Sequence, residues 1–209
     1  MTDTSLAGAL LIDFGGVLTS SVTDGFAAYE RSVGLPDGGF FALVGEDAEA
    51  NRLFVAFEEG RIEEDAFQTG LAVRIAERHG LAVDPTGIVR GLTGSLVPDQ
   101  DMIDVLGHIR LLGVPVAIVS NSFGYGAYNG YDIDGLADEV VISGLVGVRK
   151  PSRRIYEIAA ERLAVEPAGC VFVDDLELNL SGARRLGMEA FHHTDTALTL
   201  EFLAERFGL

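Results

Sequence analysis

The chain has 209 residues, with 32 acidic against 15 basic side chains, a formal net charge of −17 and 48% apolar residues. So acidic a balance, with no basic stripe, excludes nucleic acid and anionic membrane surfaces as partners, since both are held through clustered Lys and Arg. A single cysteine, Cys170, rules out a disulfide framework and a Cys-rich zinc site.

Of the fifteen basic residues fourteen are arginine, and the one lysine is Lys150. An anionic substrate would need a local cation against the general field. The opening Met-Thr-Asp-Thr has no basic segment, and the apolar stretch from Leu6 to Ile12 is too short for a leader or for a span of about 20 residues. No targeting signal is read, and a reducing cytoplasm is the expected compartment.

In chain order, the first predicted element is a strand over Ala7 to Asp13. Its run of apolar residues is unbroken, as in a strand covered on both faces of a parallel sheet. About a hundred residues separate it from the next such run, Val114 to Ser120, far more than a crossover helix needs. Residues 20–95 are therefore expected to form an insertion. Phe26, Tyr29 and Val33, then Phe67, Leu71 and Ile75, recur at helical spacing, with punctuation at Pro36 to Gly39 and Asp84 to Gly87.

Beyond it the pattern predicts helices over Gln100 to Leu112, Arg153 to Leu163, Asn179 to Leu186 and Leu198 to Phe207. A third apolar strand runs over Cys170 to Asp175, with weaker strands at Glu139 to Ile142 and Glu189 to Phe191. Alternating strand and helix predicts an α/β fold, a doubly wound Rossmann-like parallel sheet. Residues 1–19 and 96–209 form this core in that reading, and 20–95 form a small helical cap over the crevice at the strand ends.

Each apolar run ends in groups capable of chemistry. Asp13 is followed by Gly15 and Gly16, which let backbone approach a bound anion. Ser120 and Asn121 end the second run, Lys150 precedes a helix, and Asp174 with Asp175 ends the third. All are expected to face one pocket. Taken singly, each has an ordinary structural explanation, such as a turn cap or a solvated surface charge.

As an ordered set, Asp13, Ser120, Lys150 and Asp174-Asp175 resemble the four motifs of the haloacid dehalogenase superfamily of Asp-nucleophile hydrolases. Phe14-Gly-Gly-Val-Leu18, Val148-Arg-Lys-Pro-Ser-Arg-Arg-Ile-Tyr156 and the acidic pair followed by Asn179 are similar to its small-cap branch, which includes phosphatases. The resemblance implies that Asp13 attacks phosphorus, giving an aspartyl-phosphate that water hydrolyses. It implies Mg²⁺ on Asp13, the Gly15 carbonyl and one of the acidic pair, Asp175 in preference to Asp174. Asp174, paired with Lys150, and Asn179 would support that metal from behind. Ser120 and Lys150 would hold and neutralise the phosphoryl group, with Gly16 and Asn121 also binding it. The implied substrate is a small phosphorylated metabolite.

One departure matters. Gly15 stands where the superfamily's phosphatases usually carry a second Asp, the general acid, whose loss costs roughly 10² to 10⁴ in rate. A good leaving group, a substitute acid from the cap or water, or a weakly active or non-catalytic binding protein are the three ways to accommodate it. Dehalogenase chemistry also lacks that Asp, but it needs neither a metal nor an acidic pair.

The remaining candidates read as structural. His79 and His108 lie in helical patterns, His192 and His193 lack partners for zinc, and Cys170 reads as an inert buried thiol. Phe123, Tyr125, Tyr128 and Tyr131 sit in a Gly-rich loop that either lines a pocket, docks a partner or packs locally. Glu58 to Glu64 reads as a solvated corner of the cap. Oligomeric state leaves no mark in the sequence.

Overall fold

A computed structural model describes residues 8–209. Met1 to Ala7, on which the reading of the N-terminus and the start of the first strand rest, lie outside the described residues.

Five parallel strands form one sheet in the order β3-β2-β1-β4-β5: β1 (Ala9–Ile12), β2 (Val116–Ser120), β3 (Glu139–Ile142), β4 (Cys170–Asp174) and β5 (Glu189–His192). The side-chain period of two explains why β1, β2 and β4 read as unbroken apolar runs. Leu10 and Ile12 point to one face, where α6 (Gln100–Leu111) and α11 (Thr196–Phe207) cover them. Ala9 and Leu11 point to the other, under α9 (Arg153–Arg162) and α10 (Glu177–Arg184). Every residue of these three strands is buried. A core Leu or Phe side chain so placed stabilises the fold by about 1.5–3 kcal/mol.

Between β1 and β2 lie five helices: α1 (Val22–Val33), α2 (Gly39–Glu46), α3 (Ala48–Glu58), α4 (Glu64–His79) and α5 (Ile88–Thr93). They share a core of their own around Phe26, Phe40, Phe57, Phe67, Leu71 and Ile75. The stretch between α1 and α4 splits in two because Asp47 caps α3, accepting from the amides of Glu49 at 3.0 Å and Ala50 at 2.9 Å. Hydrogen bonding from Arg74 holds the Asp47 carboxyl down at about 2. The insertion leaves and rejoins the sheet at one place, where Thr19 and Pro98 form an isolated antiparallel bridge.

Two short helices, α7 (Ile133–Leu136) and α8 (Ser143–Val146), complete the chain. Neither is predicted by periodicity, since four residues hold barely one turn. Among the described residues no helix is long and apolar enough to cross a membrane.

The strand order puts β1 in the centre. The chain winds outward through β2 and β3, then returns to β4 on the other side of β1. The crevice opens where that winding reverses, beyond the carboxyl ends of β1 and β4.

Candidate active site

Asp13 follows β1 directly, Asp174 ends its neighbour β4 and Asp175 follows it, so parallel register brings three carboxylates together. One ligand oxygen from each lies within 4.8 Å of the others. Lys150 inserts its ammonium among them, with Nζ 2.7 Å from Asp13 Oδ1 and 2.7 Å from Asp174 Oδ2. The lysine is 1% exposed.

Asn121, after β2, grips the Lys150 main chain. Its Oδ1 accepts from the lysine N–H at 2.8 Å, and its Nδ2 donates to the lysine carbonyl at 3.2 Å. The Asn121 side chain, expected on the phosphate through its amide or its backbone N–H, thus positions Lys150, while the residue still lines the cavity.

Asp174 is saturated. Besides Lys150, it accepts from Asn179 Nδ2 at 2.9 and 3.1 Å and from the Leu176 amide at 2.8 Å. Asp175 Oδ1, by contrast, is buried with no hydrogen-bond partner. Burial and the charge of Asp174 push the Asp175 carboxyl up to about 6.

Asp13 Oδ1 also accepts from the Phe14 amide at 2.7 Å, and no hydrogen bond from a described residue ends on Oδ2. Burial pushes the Asp13 carboxyl well above the usual range, against the pull of Lys150. Burial opposes the Lys150 charge too, but Asp13 and Asp174 outweigh it and hold the ammonium above the ordinary lysine value. One ammonium thus faces three carboxylates. An orphaned carboxylate oxygen, an all-oxygen donor set and this excess of negative charge fit a hard divalent cation such as Mg²⁺.

Ser120 ends β2, and its Oγ accepts from Tyr128 at 2.9 Å. Gly16 is not among the residues lining the cavity, and its amide, expected on the phosphate, donates to Thr19 Oγ1 at 3.1 Å. Its glycine makes room instead. At φ +81° a Cβ would stand 2.5 Å from Asp175 Oδ2.

Asp13, Ser120, Asn121, Lys150, Asp175 and Asn179 line a cavity of about 170 Å³ between sheet and insertion. Its wall is aromatic, with Phe26, Phe41 and Phe54 from the insertion and Phe14, Phe123 and Tyr128 from the core side. The Gly-rich loop lines the pocket through Phe123 and Tyr128. Tyr131 packs on the Phe14 ring with centroids 4.9 Å apart, and the Tyr125 side chain lies outside the described set. Cys170 is buried, and burial holds its thiol up at about 11, as an inert core thiol requires.

Sequence reasoning missed Glu58. The corner read as solvated carries this carboxylate at 6% exposure, lining the cavity. Its Oε2 lies 2.8 Å from Arg149 Nη1 but accepts no hydrogen bond, and its main-chain carbonyl accepts from Ser143 Oγ. Burial, partly offset by Arg149 and Lys150, pushes it up to about 7.

The haloacid dehalogenase-like hydrolase family matches residues 8–187. A sesquiterpene phosphatase from Aspergillus oryzae is 32% identical over 156 residues, 73% of this chain and 78% of that protein. An (S)-2-haloacid dehalogenase from a Pseudomonas species is 29% identical over 115 residues, 54% of this chain and half of that one. The fold matches that of a HAD family enzyme from Bacteroides thetaiotaomicron, solved with magnesium and inorganic phosphate. Its TM-score is 0.65 at 22% identity, covering 89% of this chain and 93% of that one. The chain belongs to the haloacid dehalogenase-like hydrolases and is a hydrolase of that family.

Proposed function

We propose that this hydrolase is a Mg²⁺-dependent phosphatase that works through a phosphorylated Asp13. The observation that carries the reading is the orphaned, buried Asp175 oxygen beside Asp13 and Asp174, a cation seat for which carbon–halogen displacement has no use. Bound by Asp13, the Gly15 carbonyl and Asp175, Mg²⁺ would offset the negative charge of the phosphoryl oxygens.

The chain's own groups do the rest. Asp13 forms a bond to phosphorus as the bond to the leaving oxygen breaks. Lys150 holds the nucleophile in place and cancels part of the charge on both partners, and the Ser120 hydroxyl donates to a phosphoryl oxygen. Water then displaces inorganic phosphate and restores the carboxylate. Asp174 acts through Lys150 and Asn179, and Asn121 through the Lys150 main chain.

The substrate's organic part is apolar in this reading. The wall above Asp13 is a ring of phenylalanines, and among the described residues no basic side chain other than Lys150 lines the cavity. Against that ring a sugar would lay most of its hydroxyls on apolar surface, with Thr23 and Thr93 the hydroxyl side chains the insertion offers. The relative named as a sesquiterpene phosphatase is in keeping with such a substrate.

Phosphate release from an aryl phosphate is expected to require Mg²⁺ and to stop with chelator. Halide release from a 2-halo acid in the presence of chelator would replace this reading with dehalogenation. Between two primary alkyl phosphates, hexyl phosphate is expected to exceed glycerol 3-phosphate in kcat/KM by at least about tenfold. Equal or reversed values would refute the apolar assignment and leave the phosphatase assignment standing.

A further inference from the structure

Resting on the phosphatase reading, we infer that Glu58, brought in by the insertion, is the general acid that protonates the leaving oxygen and later takes a proton from the attacking water. The family's usual acid position is Gly15 here, and Gly15 offers no side chain. A Cβ at Gly15 would already come within 2.9 Å of Val22 Cγ2, so that corner is filled by the insertion rather than left for a carboxylate.

Glu58 lies at the C-terminal end of α3, facing the cavity that holds Asp13 and Lys150. Three observations favour a proton-transfer role over a simple structural ion pair. The carboxyl is buried in the wall of the cavity that Asp13 and Lys150 also line, near enough for the Lys150 charge to act on it. Its Oε2 pairs with Arg149 Nη1 at 2.8 Å but accepts no hydrogen bond, so Arg149 steadies the carboxylate by charge alone. Burial outweighs Arg149 and Lys150, aided by repulsion from Glu59, and leaves the group at about 7, so both protonation states are populated near neutral pH. Tyr128, the other titratable group close enough to feel Glu58, is pushed up to about 12 by burial and remains a neutral donor to Ser120.

The proton balance closes. Protonated Glu58 gives its proton to the departing alkoxide as the bond from Asp13 to phosphorus forms. The resulting carboxylate accepts a proton from the water that cleaves the aspartyl-phosphate, and Glu58 ends as it began. An aryl leaving group is stable as the anion and needs little of this help, whereas an alkyl alkoxide needs all of it.

Glu58→Gln keeps the size of the side chain and the main-chain carbonyl that Ser143 uses. It is expected to lower kcat/KM for hexyl phosphate by about 10² to 10⁴-fold and for p-nitrophenyl phosphate by less than tenfold. The alkaline fall near pH 7 in the hexyl phosphate profile should vanish with it. Both substrates are measured on one preparation, so any unfolded fraction cancels from their ratio. An equal fall for both substrates would make Glu58 a structural tie to Arg149, and no fall in either would remove it from the reaction. If the unaltered enzyme turns over neither substrate, the phosphatase reading fails first and this assignment with it.

Discussion

Asp13→Asn is expected to lower phosphate release roughly 10⁴-fold or more while leaving the thermal midpoint unchanged or raised. Asparagine is close in shape to aspartate, and its amide oxygen can still accept from Lys150 and from the Phe14 amide, as Asp13 Oδ1 does now. What it removes is a negative charge from a buried group of three carboxylates whose ligand oxygens lie within 4.8 Å of one another. Like charges so close repel, and burial makes that repulsion costly. Lys150 keeps its contact with Asp174 at 2.7 Å, so the ammonium is not left unpaired. Activity and stability should therefore part company, which a phosphate assay beside a melting curve will show. Robust turnover by the variant would end the nucleophile assignment.

Lys150→Arg should also be costly, although it keeps the charge. One small ammonium reaches two carboxylates at 2.7 Å each, from a side chain 1% exposed that packs 5.6 Å from the centroid of the Phe172 ring. A guanidinium is planar and longer, presents its donors in a fork, and has no space to settle here. With Asn121 holding the main chain on both its N–H and its carbonyl, the backbone cannot shift to make room. The expected loss is about 10²- to 10³-fold in kcat/KM, the usual consequence of misplacing one donor at a charged transition state. A thermal midpoint several degrees lower should accompany it, since forcing a longer side chain into a filled interior costs about 1–3 kcal/mol. If turnover survives, the one lysine in an arginine-rich chain is an accident of composition.

The parts of this site legible in the sequence are those that sit at strand ends. A strand buried on both faces announces itself as an apolar run, and the polar residue that stops the run must lie at the edge of the sheet, beside the ends of its neighbours. Asp13, Ser120 and Asp174-Asp175 were readable for that reason. Lys150 stood out through its family motif and its rarity.

Glu58 was not legible, because within Glu58-Glu59-Gly60-Arg61 nothing local distinguishes the carboxylate that turns inward from the one that stays at the surface. Only the docking of α3 over the crevice, beside Arg149 and Ser143, decides it. Asn121 and Gly16 were placed in the right neighbourhood, but their hydrogen bonds go to Lys150 and Thr19, partners 29 and 3 residues away that compete with a ligand for the same groups. In the insertion, helical spacing located α1 and α4, and the split between α2 and α3 turned on the capping of one aspartate.

The bridge between Thr19 and Pro98 makes the insertion a plug-in module: the chain departs and returns through neighbouring points, so a different helical unit could be spliced there without disturbing β1 or β2. For most of the wall this would retune which molecules fit. Here it would do more, because the same module carries Glu58. A graft that brought new aromatic residues but no carboxylate at that point would change the substrate and, at once, confine the enzyme to phosphates that depart unaided.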